Sequence, residues 1–321
     1  MQFRTEIHIP QSENRIFQHS EIITLGSCFA GVLGSFLVEN KMKAVVNPLG
    51  TLFNPLSIFK ILHKNYQLDT RSFVDTGDQC FHYDFHSSIT AENPKELALV
   101  IENKIQNLHQ QLAKSNFLIL TFGTAFIHQL KEMPINVANC HKQPAAQFEK
   151  KLLSVKDICK GFAGFFEEIK LQNPSLQIVL TVSPVRHTKE GLAENQLSKS
   201  ILRAACHYLE TDYDGVNYFP AYEIMMDDLR DYRFYKSDLI HPNDMAEKYI
   251  LDKFSVAYFD RALVDFIARW SKLKQAIQHR PFNVGSSSHQ IFLRKTLKEL
   301  ESLSPELDLS EEIAQVKAMI L

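Results

Sequence analysis

The sequence predicts an α/β fold in which a parallel sheet is covered by helices on both faces. Short apolar runs, typical of buried strands, alternate with helical patterns of about ten residues or more, and this alternation is characteristic of βαβ units. A parallel sheet buries both of its faces, so the connecting helices must lie on two sides of it. From residue 244 onward the pattern is helical, which adds a helical appendage at the C-terminal end.

Four apolar runs are predicted to be the strands of this sheet, because each stops at residues that favour turns. They cover residues 22–25, 44–46, 117–122 and 177–182. The helical patterns between and after them cover residues 29–40, 55–64, 94–115, 155–172 and 191–209. Residues 73–88 show no clear period and are expected to form an excursion that contains a hairpin.

The C-terminal part is predicted to consist of helices. One long amphipathic helix is expected over residues 244–279, and two charged helices over residues 291–303 and 310–321. A glycine and three consecutive serines indicate a linker before the last two. We therefore predict an α/β domain, a linker and a helical tail that is a candidate homo-oligomerisation element, over residues 1–278, 279–289 and 290–321.

The composition argues against several classes of protein. The 321 residues are 45% hydrophobic and 22% charged, as in an ordinary soluble globular protein. The net charge of −2 would not attract nucleic acid or an anionic membrane. The chain contains no apolar run of about 18 residues, and its N-terminus lacks the apolar stretch of a secretory signal. Five scattered cysteines without a CxxC pair favour a reducing compartment, so we expect a cytoplasmic protein without a disulfide framework.

The stretch EIITLGSCFAGVLG (21–34) contains two possible nucleophiles, Ser27 and Cys28, directly after a predicted strand that ends at Gly26. Glycine permits a tight turn, and the N-terminus of the next helix would depress a thiol pKa and stabilise a developing oxyanion. Small residues also begin many ordinary helices, and a free cysteine is often a small buried apolar residue. On this stretch alone both interpretations stay open.

A second candidate lies in SDLIHPN (237–243), where Asp238 precedes His241 by three residues. An aspartate at this spacing can bond the ring Nδ1 and leave the other nitrogen as a general base. The same residues also fit a local cap formed by Asp238 or Asn243, with His241 as a surface turn residue.

With a nucleophile after the first strand and Asp-x-x-His after the last, the sequence resembles the GSCFA family, a branch of the SGNH (GDSL-like) hydrolase superfamily. The resemblance spans roughly residues 20–260 and rests on the blocks GSCFA (26–30), NPLGTLFNPLSI (47–58), FHYDFHSS (81–88), LTFGTAFIH (120–128), ANCHKQPA (138–145), TVSPVRHTKEG (181–191), NQLSKS (195–200) and FPAYEIMMDDLRDYRFYKSDLIHP (219–242). It implies a three-layer α/β/α sandwich of the flavodoxin-like type.

The resemblance also implies a catalytic set from the first and last blocks. The first block of the superfamily is Gly-Asp-Ser, with Ser as nucleophile, and an ungapped match puts Ser27 on the Asp position and Cys28 on the nucleophile position. A one-residue shift would return that role to Ser27, so both are candidates, with Cys28 favoured. The last block matches Asp238 as the orienting carboxylate and His241 as the base.

The oxyanion hole implied by the resemblance is incomplete. The glycine of the second superfamily block matches Gly50, and the N–H of the nucleophile would be another donor. The third block, Gly-x-Asn in the superfamily, here begins at Gly123 and lacks the asparagine. Losing one donor typically costs about a hundred- to a thousandfold in rate. Candidate replacements are Thr124, Asn54, Asn139 and His141.

Other side chains are candidates for substrate binding. Arg186 and His187 follow a predicted strand and suit an anionic or hydroxylated substrate, although Arg186 could instead pair with an acidic residue of the 219–236 segment. His86, like His141 and Asn139, is a candidate for the cleft wall.

The resemblance implies an esterase or acyl hydrolase that forms a covalent acyl-enzyme, acting on a small-molecule or glycan ester such as an O-acylated carbohydrate or glycoconjugate. The alternatives are an acyltransferase with the same site, or a non-catalytic descendant that binds a carbohydrate or a partner protein. No cofactor, metal, nucleic acid or membrane partner is expected.

Overall fold

The computed structural model describes residues 4–133, 135–305 and 307–321. Its strands are β1 (Glu21–Gly26), β2 (Lys43–Val46), β3 (Phe73–Asp75), β4 (Cys80–His82), β5 (Phe117–Phe122), β6 (Phe126–Leu130), β7 (Asn136–Val137), β8 (Phe148–Leu152), β9 (Gln177–Val182) and β10 (Val216–Phe219). Its helices are α1 (Cys28–Glu39), α2 (Pro55–Leu62), α3 (Pro94–Leu112), α4 (Val155–Gln172), α5 (Leu192–Asp212), α6 (Ala221–Glu223), α7 (Asp244–Tyr258), α8 (Arg261–Gln278), α9 (Ser287–Leu303) and α10 (Ser310–Met319).

The central sheet has five parallel strands in the order β10-β9-β5-β1-β2. Counted along the chain, these strands follow the order 2-1-3-4-5 that is typical of flavodoxin-like folds. Sheets of this type bind ligands beyond the carboxyl ends of their strands. The predicted α/β fold with a parallel sheet is confirmed, and the site must be sought at that edge.

Both faces of the sheet are covered, which completes a three-layer α/β/α sandwich. Successive strand residues point to opposite faces. Ile23 and Leu25 of β1 pack in a large buried cluster with residues of α2, α3, α4 and α5. Ile22 of the same strand packs on the other side, in a cluster with Phe29 of α1 and Phe254 of α7.

The sequence predicts four of the five central strands and misses β10. This edge strand has only four residues, VNYF, and its apolar run is interrupted by Asn217, so it gives little periodic signal. The expected hairpin is present, since β3 and β4 pair antiparallel within residues 73–88. A further small antiparallel sheet, β7-β6-β8, was not predicted.

The prediction of one long helix over residues 244–279 is wrong. The chain forms α7 and α8, separated by an extended Phe259 and by Asp260, whose side chain caps α8 by accepting hydrogen bonds from two backbone N–H groups. Aspartate is a favoured N-cap residue. The apolar period continues across the break, so periodicity alone conceals the cap.

The C-terminal helices form the predicted appendage. Trp270 of α8 lies in a small buried cluster with residues of α9 and α10, and its Nε1 donates a hydrogen bond to Glu39 O at 2.8 Å. This bond ties α8, against which α9 and α10 pack, to the end of α1. The proposed division at residue 279 and the association of copies through these helices stay predictions. Within the described residues, none of the helices combines the length and apolar character needed to cross a bilayer.

The turn after β1 should not tolerate a side chain. Gly26 has a φ of +138°, and an added Cβ would lie 2.1 Å from Thr121 O of β5. We expect Gly26→Ala to cost more than about 4 kcal/mol or to prevent folding, because strained backbone and a backbone clash add together. Chemical unfolding of purified protein measures this cost.

Gly77→Ala is the matched control for this substitution. Gly77 also has a positive φ, +88°, but an added Cβ would meet no atom within 4 Å. It should cost only about 1–2 kcal/mol, the backbone penalty alone. Equal losses in the two variants would show that the contact with Thr121 is unimportant.

Candidate active site

Four loops meet at the carboxyl edge of the central sheet. They follow β1, β2, β5 and β9 and contribute Ser27, Phe53, Gly123 and His187. A Cβ added to Gly123 would lie 3.1 Å from both His187 Nε2 and Ser27 Cβ, and 3.2 Å from Phe53 O. Gly123 is therefore the point around which the other three loops pack, and a larger residue would push them apart.

The turn between β1 and α1 presents Ser27 and Cys28 differently. Ser27 is the N-cap of α1, its N–H donates to Thr121 O at 3.0 Å, and its side chain is buried. Its Oγ has no hydrogen-bond partner among the described residues. Cys28, the first residue of α1, is partly exposed. The serine faces the floor of the site, and the cysteine is nearer to solvent.

Asn47, in the loop after β2, fixes this turn. Its Oδ1 accepts a hydrogen bond from the Gly26 N–H at 3.0 Å, and its own N–H donates to Thr24 O at 2.9 Å. The Leu52 N–H then donates to Gly26 O at 2.9 Å. Both backbone polar groups of the turn glycine are thus satisfied by one loop. Asn47 was not predicted from the sequence as a site residue.

Asp238 and His241 form the side-chain pair that their spacing predicts. Asp238 Oδ2 lies 2.7 Å from His241 Nδ1, and Asp238 Oδ1 accepts the N–H groups of Ile240 and His241 at 2.9 and 3.0 Å. These backbone hydrogen bonds, and then the contact with the His241 ring, lower the pKa of Asp238 to about 2. Its ionised carboxylate can hold the Nδ1 proton of His241 and leave Nε2 as an acceptor.

Arg186 joins the Asp238–His241 loop to the end of β9. Its N–H donates to Ile240 O at 3.2 Å and its Nη1 to Leu239 O at 3.3 Å. Its guanidinium lies 4.0 Å from the centre of the Tyr235 ring. In the described chain Arg186 makes no ion pair with the acidic residues of segment 219–236, so that alternative is not supported. Arg186 therefore links the loop of Asp238 and His241 to the residue next to His187.

His187 points a buried nitrogen into this junction. The backbone N–H of His187 donates to Asn195 Oδ1 at 2.8 Å. The His187 ring packs edge-to-face with Phe53, with 5.4 Å between the ring centres. Its Nε2 is buried and has no hydrogen-bond partner in the described part of the chain. Burial, followed by the positive charge of Lys199, lowers the pKa of His187 to about 4. The ring is therefore neutral at physiological pH.

Lys199 lies beneath the β9 loop and was not predicted from the sequence. Its side chain is buried, and Nζ donates to Ser183 O at 2.7 Å. Burial lowers its pKa to about 7. A signal was present, because Asn195, Ser198 and Lys199 begin the buried stripe of α5 that continues at Leu202. Polar residues on the apolar face of a helix usually have a specific partner.

Four of the predicted oxyanion donors already have partners within the protein. The Gly50 N–H donates to Asn47 O and the Gly123 N–H to Phe53 O, both at 2.8 Å. The Thr124 hydroxyl lies 3.1 Å from Ser198 Oγ, and Asn54 caps α2 through Ser57. None of these four roles is supported by a free donor in this arrangement, and they stay predictions.

The three remaining predicted residues lie in a packed neighbouring cluster. His141 Nε2 is 2.9 Å from His82 O, and Asn139 Oδ1 accepts the His141 N–H at 3.0 Å. His86 packs against Gly50, where an added Cβ would lie 2.3 Å from His86 Cβ. These contacts hold the wall of the loop after β2, and a direct contact with substrate stays a prediction.

Comparison with known families bears on this arrangement. Residues 21–254 match the family model described as the GSCFA family. The chain belongs to the GSCFA family. Residues 270–321 match a second model, the C-terminal domain of GSCFA domain proteins. Every residue of the site described above lies within the first match, and α9 and α10 lie within the second.

Solved structures with a similar fold include three esterases. A carbohydrate esterase family 3 from Talaromyces cellulolyticus is 8% identical, with TM-score 0.35, over 80% of this chain and 99% of that chain. A family two carbohydrate esterase from Clostridium thermocellum in complex with cellohexaose is 9% identical, with TM-score 0.34, over 81% of this chain and 66% of that chain. An acetyl xylan esterase (Est2A) from the rumen bacterium Butyrivibrio proteoclasticus is 9% identical, with TM-score 0.36, over 79% of this chain and 65% of that chain. Likenesses this distant carry no argument about activity. No curated protein matches this GSCFA chain.

The Cys28 thiol of this GSCFA protein is protonated at rest. Burial raises its pKa, and its own backbone N–H only partly offsets this. In the described residues Cys28 Sγ makes no hydrogen bond to His241. The resting site therefore does not contain the thiolate–imidazolium pair found where a cysteine pKa is strongly depressed.

We expect Cys28 to be alkylated by iodoacetamide slowly at pH 7 and progressively faster as the pH is raised, because the thiolate is the reactive form and burial raises the pKa of Cys28. Peptide-resolved mass spectrometry measures the rate. Cys80 and Cys206, both buried, should stay protected and serve as internal controls. A Cys28 rate that is already constant between pH 6 and 8 would contradict a raised pKa.

Proposed function

We propose that this protein is an esterase-type acyl hydrolase of the SGNH superfamily that forms a covalent acyl-enzyme on Cys28. His241 is the general base and Asp238 orients it. The observation that carries the proposal is the 2.7 Å contact between Asp238 Oδ2 and His241 Nδ1. The hydrogen bonds of Arg186 hold this pair at the sheet edge where Cys28 begins α1.

Burial supports Cys28 over Ser27 as the nucleophile. Ser27 is the N-cap of α1, and its side chain is buried. Cys28 is partly exposed at the N-terminus of α1. The ungapped match to the superfamily puts Ser27 on the position of the first-block aspartate, which agrees with its location in the floor of the site.

The chemistry proceeds by general-base catalysis. Cys28 Sγ adds to the ester carbonyl while His241 Nε2 takes the thiol proton, and the carbonyl electrons move onto oxygen. Collapse of this intermediate expels the alkoxide, which receives the proton from His241, and leaves a thioester on Cys28. Water repeats the sequence and releases the acid. Because the resting thiol is protonated, proton transfer to His241 must accompany attack.

The proposed substrate is an O-acylated carbohydrate or glycoconjugate, the class implied by the resemblance to the SGNH superfamily. Resolution of the thioester by a sugar hydroxyl in place of water would make the protein an acyltransferase with the same residues. Fold resemblance does not fix the substrate. A panel of acetylated mono- and oligosaccharides, with and without an added acceptor sugar, separates hydrolysis from transfer.

A non-catalytic binding role is the second candidate, and two observations favour it. The predicted donors Gly50, Gly123, Thr124 and Asn54 are bonded within the protein, and among the described residues no hydrogen bond connects Cys28 to His241. A binding protein would retain affinity for an acylated glycan and show no turnover on any ester.

Incubation with p-nitrophenyl acetate tests the leading proposal. We expect p-nitrophenol release and an acetyl adduct in the intact mass. Cys28→Ala should abolish the adduct, and His241→Ala should slow release by at least about a hundredfold, the usual contribution of a general base.

Ser27→Ala is the matched control in the same assay, and it should form the adduct at a rate near that of the unaltered protein. Loss of the adduct in Ser27→Ala, with retention in Cys28→Ala, would assign the nucleophile to the serine. Equal slow release from all four proteins would favour the binding role.

A further inference from the structure

Acyl transfer through Cys28 needs hydrogen-bond donors for the oxyanion, and most of those nearby are already engaged. The N–H groups of Ser27, Gly50 and Gly123 donate to Thr121 O, Asn47 O and Phe53 O. The Cys28 N–H is the first of α1, and such groups have no intrahelical acceptor. It supplies one donor. A single donor is weaker than the pairs or triplets that acyl-transfer enzymes use.

His187 is placed to supply the missing donor. Its Nε2 and Ser27 Cβ lie 3.1 Å from the same point, the position of a Cβ on Gly123. The nitrogen therefore lies close to the residue that precedes Cys28 in the chain. It is buried and unpartnered in the described chain. A buried polar atom without a partner carries a desolvation cost, so it calls for a function or for a ligand.

The ring is held in place by the surrounding protein. The backbone N–H of His187 donates to Asn195 Oδ1 at 2.8 Å and fixes the main chain, and Phe53 packs edge-on against the imidazole. A fixed donor needs little reorganisation when charge develops on the substrate, which is the condition for effective stabilisation of a transition state.

The imidazole also carries no charge of its own. The charged groups around it are Lys199, Lys150 and His241, which oppose its protonation, and Glu190, which favours it. Burial is the larger effect, and it keeps the ring neutral down to a pKa of about 4. A neutral imidazole carries one N–H, and it donates without losing the proton.

We infer that His187 donates its Nε2–H to the acyl oxyanion formed at Cys28 and takes the place of the asparagine that the Gly123-Thr124-Ala125 segment lacks. The inference rests on the function proposed above. During attack the electron pair of the carbonyl moves onto oxygen, which accepts hydrogen bonds from the Cys28 N–H and His187 Nε2–H. The thiol proton goes to His241 alone. When the intermediate collapses, the oxygen recovers its double bond and His187 keeps its proton.

Two substitutions separate donation from shape. His187→Phe keeps a flat ring and removes the donor, and we expect it to lower kcat for p-nitrophenyl acetate by about a hundred- to a thousandfold, with KM changed less than threefold. His187→Gln places an amide N–H near the original Nε2 and should recover at least a tenth of the unaltered kcat. His207→Phe, on an exposed face of α5, is the matched control and should behave as the unaltered protein.

The outcomes distinguish this inference from the function on which it rests. If Cys28→Ala and His241→Ala lose turnover while His187→Phe retains it, the proposed function stands and the donor role of His187 is refuted. If Cys28→Ala retains turnover, the proposed function itself is refuted. Equal loss in His187→Phe and His187→Gln, with both proteins folded by circular dichroism, would also refute donation by Nε2.

A measurement on the unaltered protein guards against a variant that fails to fold. The ring of His187 can be titrated by NMR with isotope-labelled histidine, and the resonance is assigned by its loss in His187→Gln. A pKa near 4, with the proton on Nε2 above it, supports a neutral donor. A pKa near 6.5, or a proton on Nδ1, would overturn the inference.

Discussion

The candidate site depends on how closely the turn after β1 approaches β5. Gly26 adopts a backbone conformation that only glycine takes without strain, and the N–H of Ser27 donates to Thr121 O at 3.0 Å. This contact places the start of α1 against Gly123, so that the first turn of α1 faces the loops that follow β5 and β9. Without it, Cys28 would begin a helix on the same sheet but away from the histidines that follow β9 and β10.

Burial divides the site into an interior, where titratable groups are shifted towards their uncharged forms, and a charged rim. In the interior, desolvation raises the pKa of Cys28 and lowers those of His187 and Lys199. All three groups are shifted towards their uncharged forms. At the rim, Asp238 is exposed and hydrogen-bonded by two backbone N–H groups, so it stays ionised. The carboxylate charge of Asp238, which bonds the His241 ring, is therefore exposed to solvent, where no large desolvation penalty opposes its ionisation.

The sequence predicts those parts of the molecule that depend on local pattern. Buried strands such as β5 and β9 appear as apolar runs with their observed bounds, and the Asp238–His241 pair follows from three-residue spacing within one loop. What it misses depends on contacts between distant segments. The partner of Gly26 is Asn47, and the partner of His187 is Asn195, and neither pairing leaves a periodic or spacing signal. The Asp260 cap is a local signal, but a continuous apolar period masks it.

In the proposed mechanism, the shift of Cys28 and His187 towards their uncharged forms also gives a physical reason why a cysteine could act as serine does in SGNH hydrolases. A cysteine with a depressed pKa rests as a thiolate and needs no base at the moment of attack. Cys28 rests as a thiol, so its nucleophilicity must be generated together with the bond it forms. In that case negative charge appears only on the acyl oxygen and positive charge only on His241. A site in which Cys28 and His187 carry no resting charge would favour this transition state over the ground state, since neutral fixed dipoles stabilise charge where it develops and gain nothing before it does.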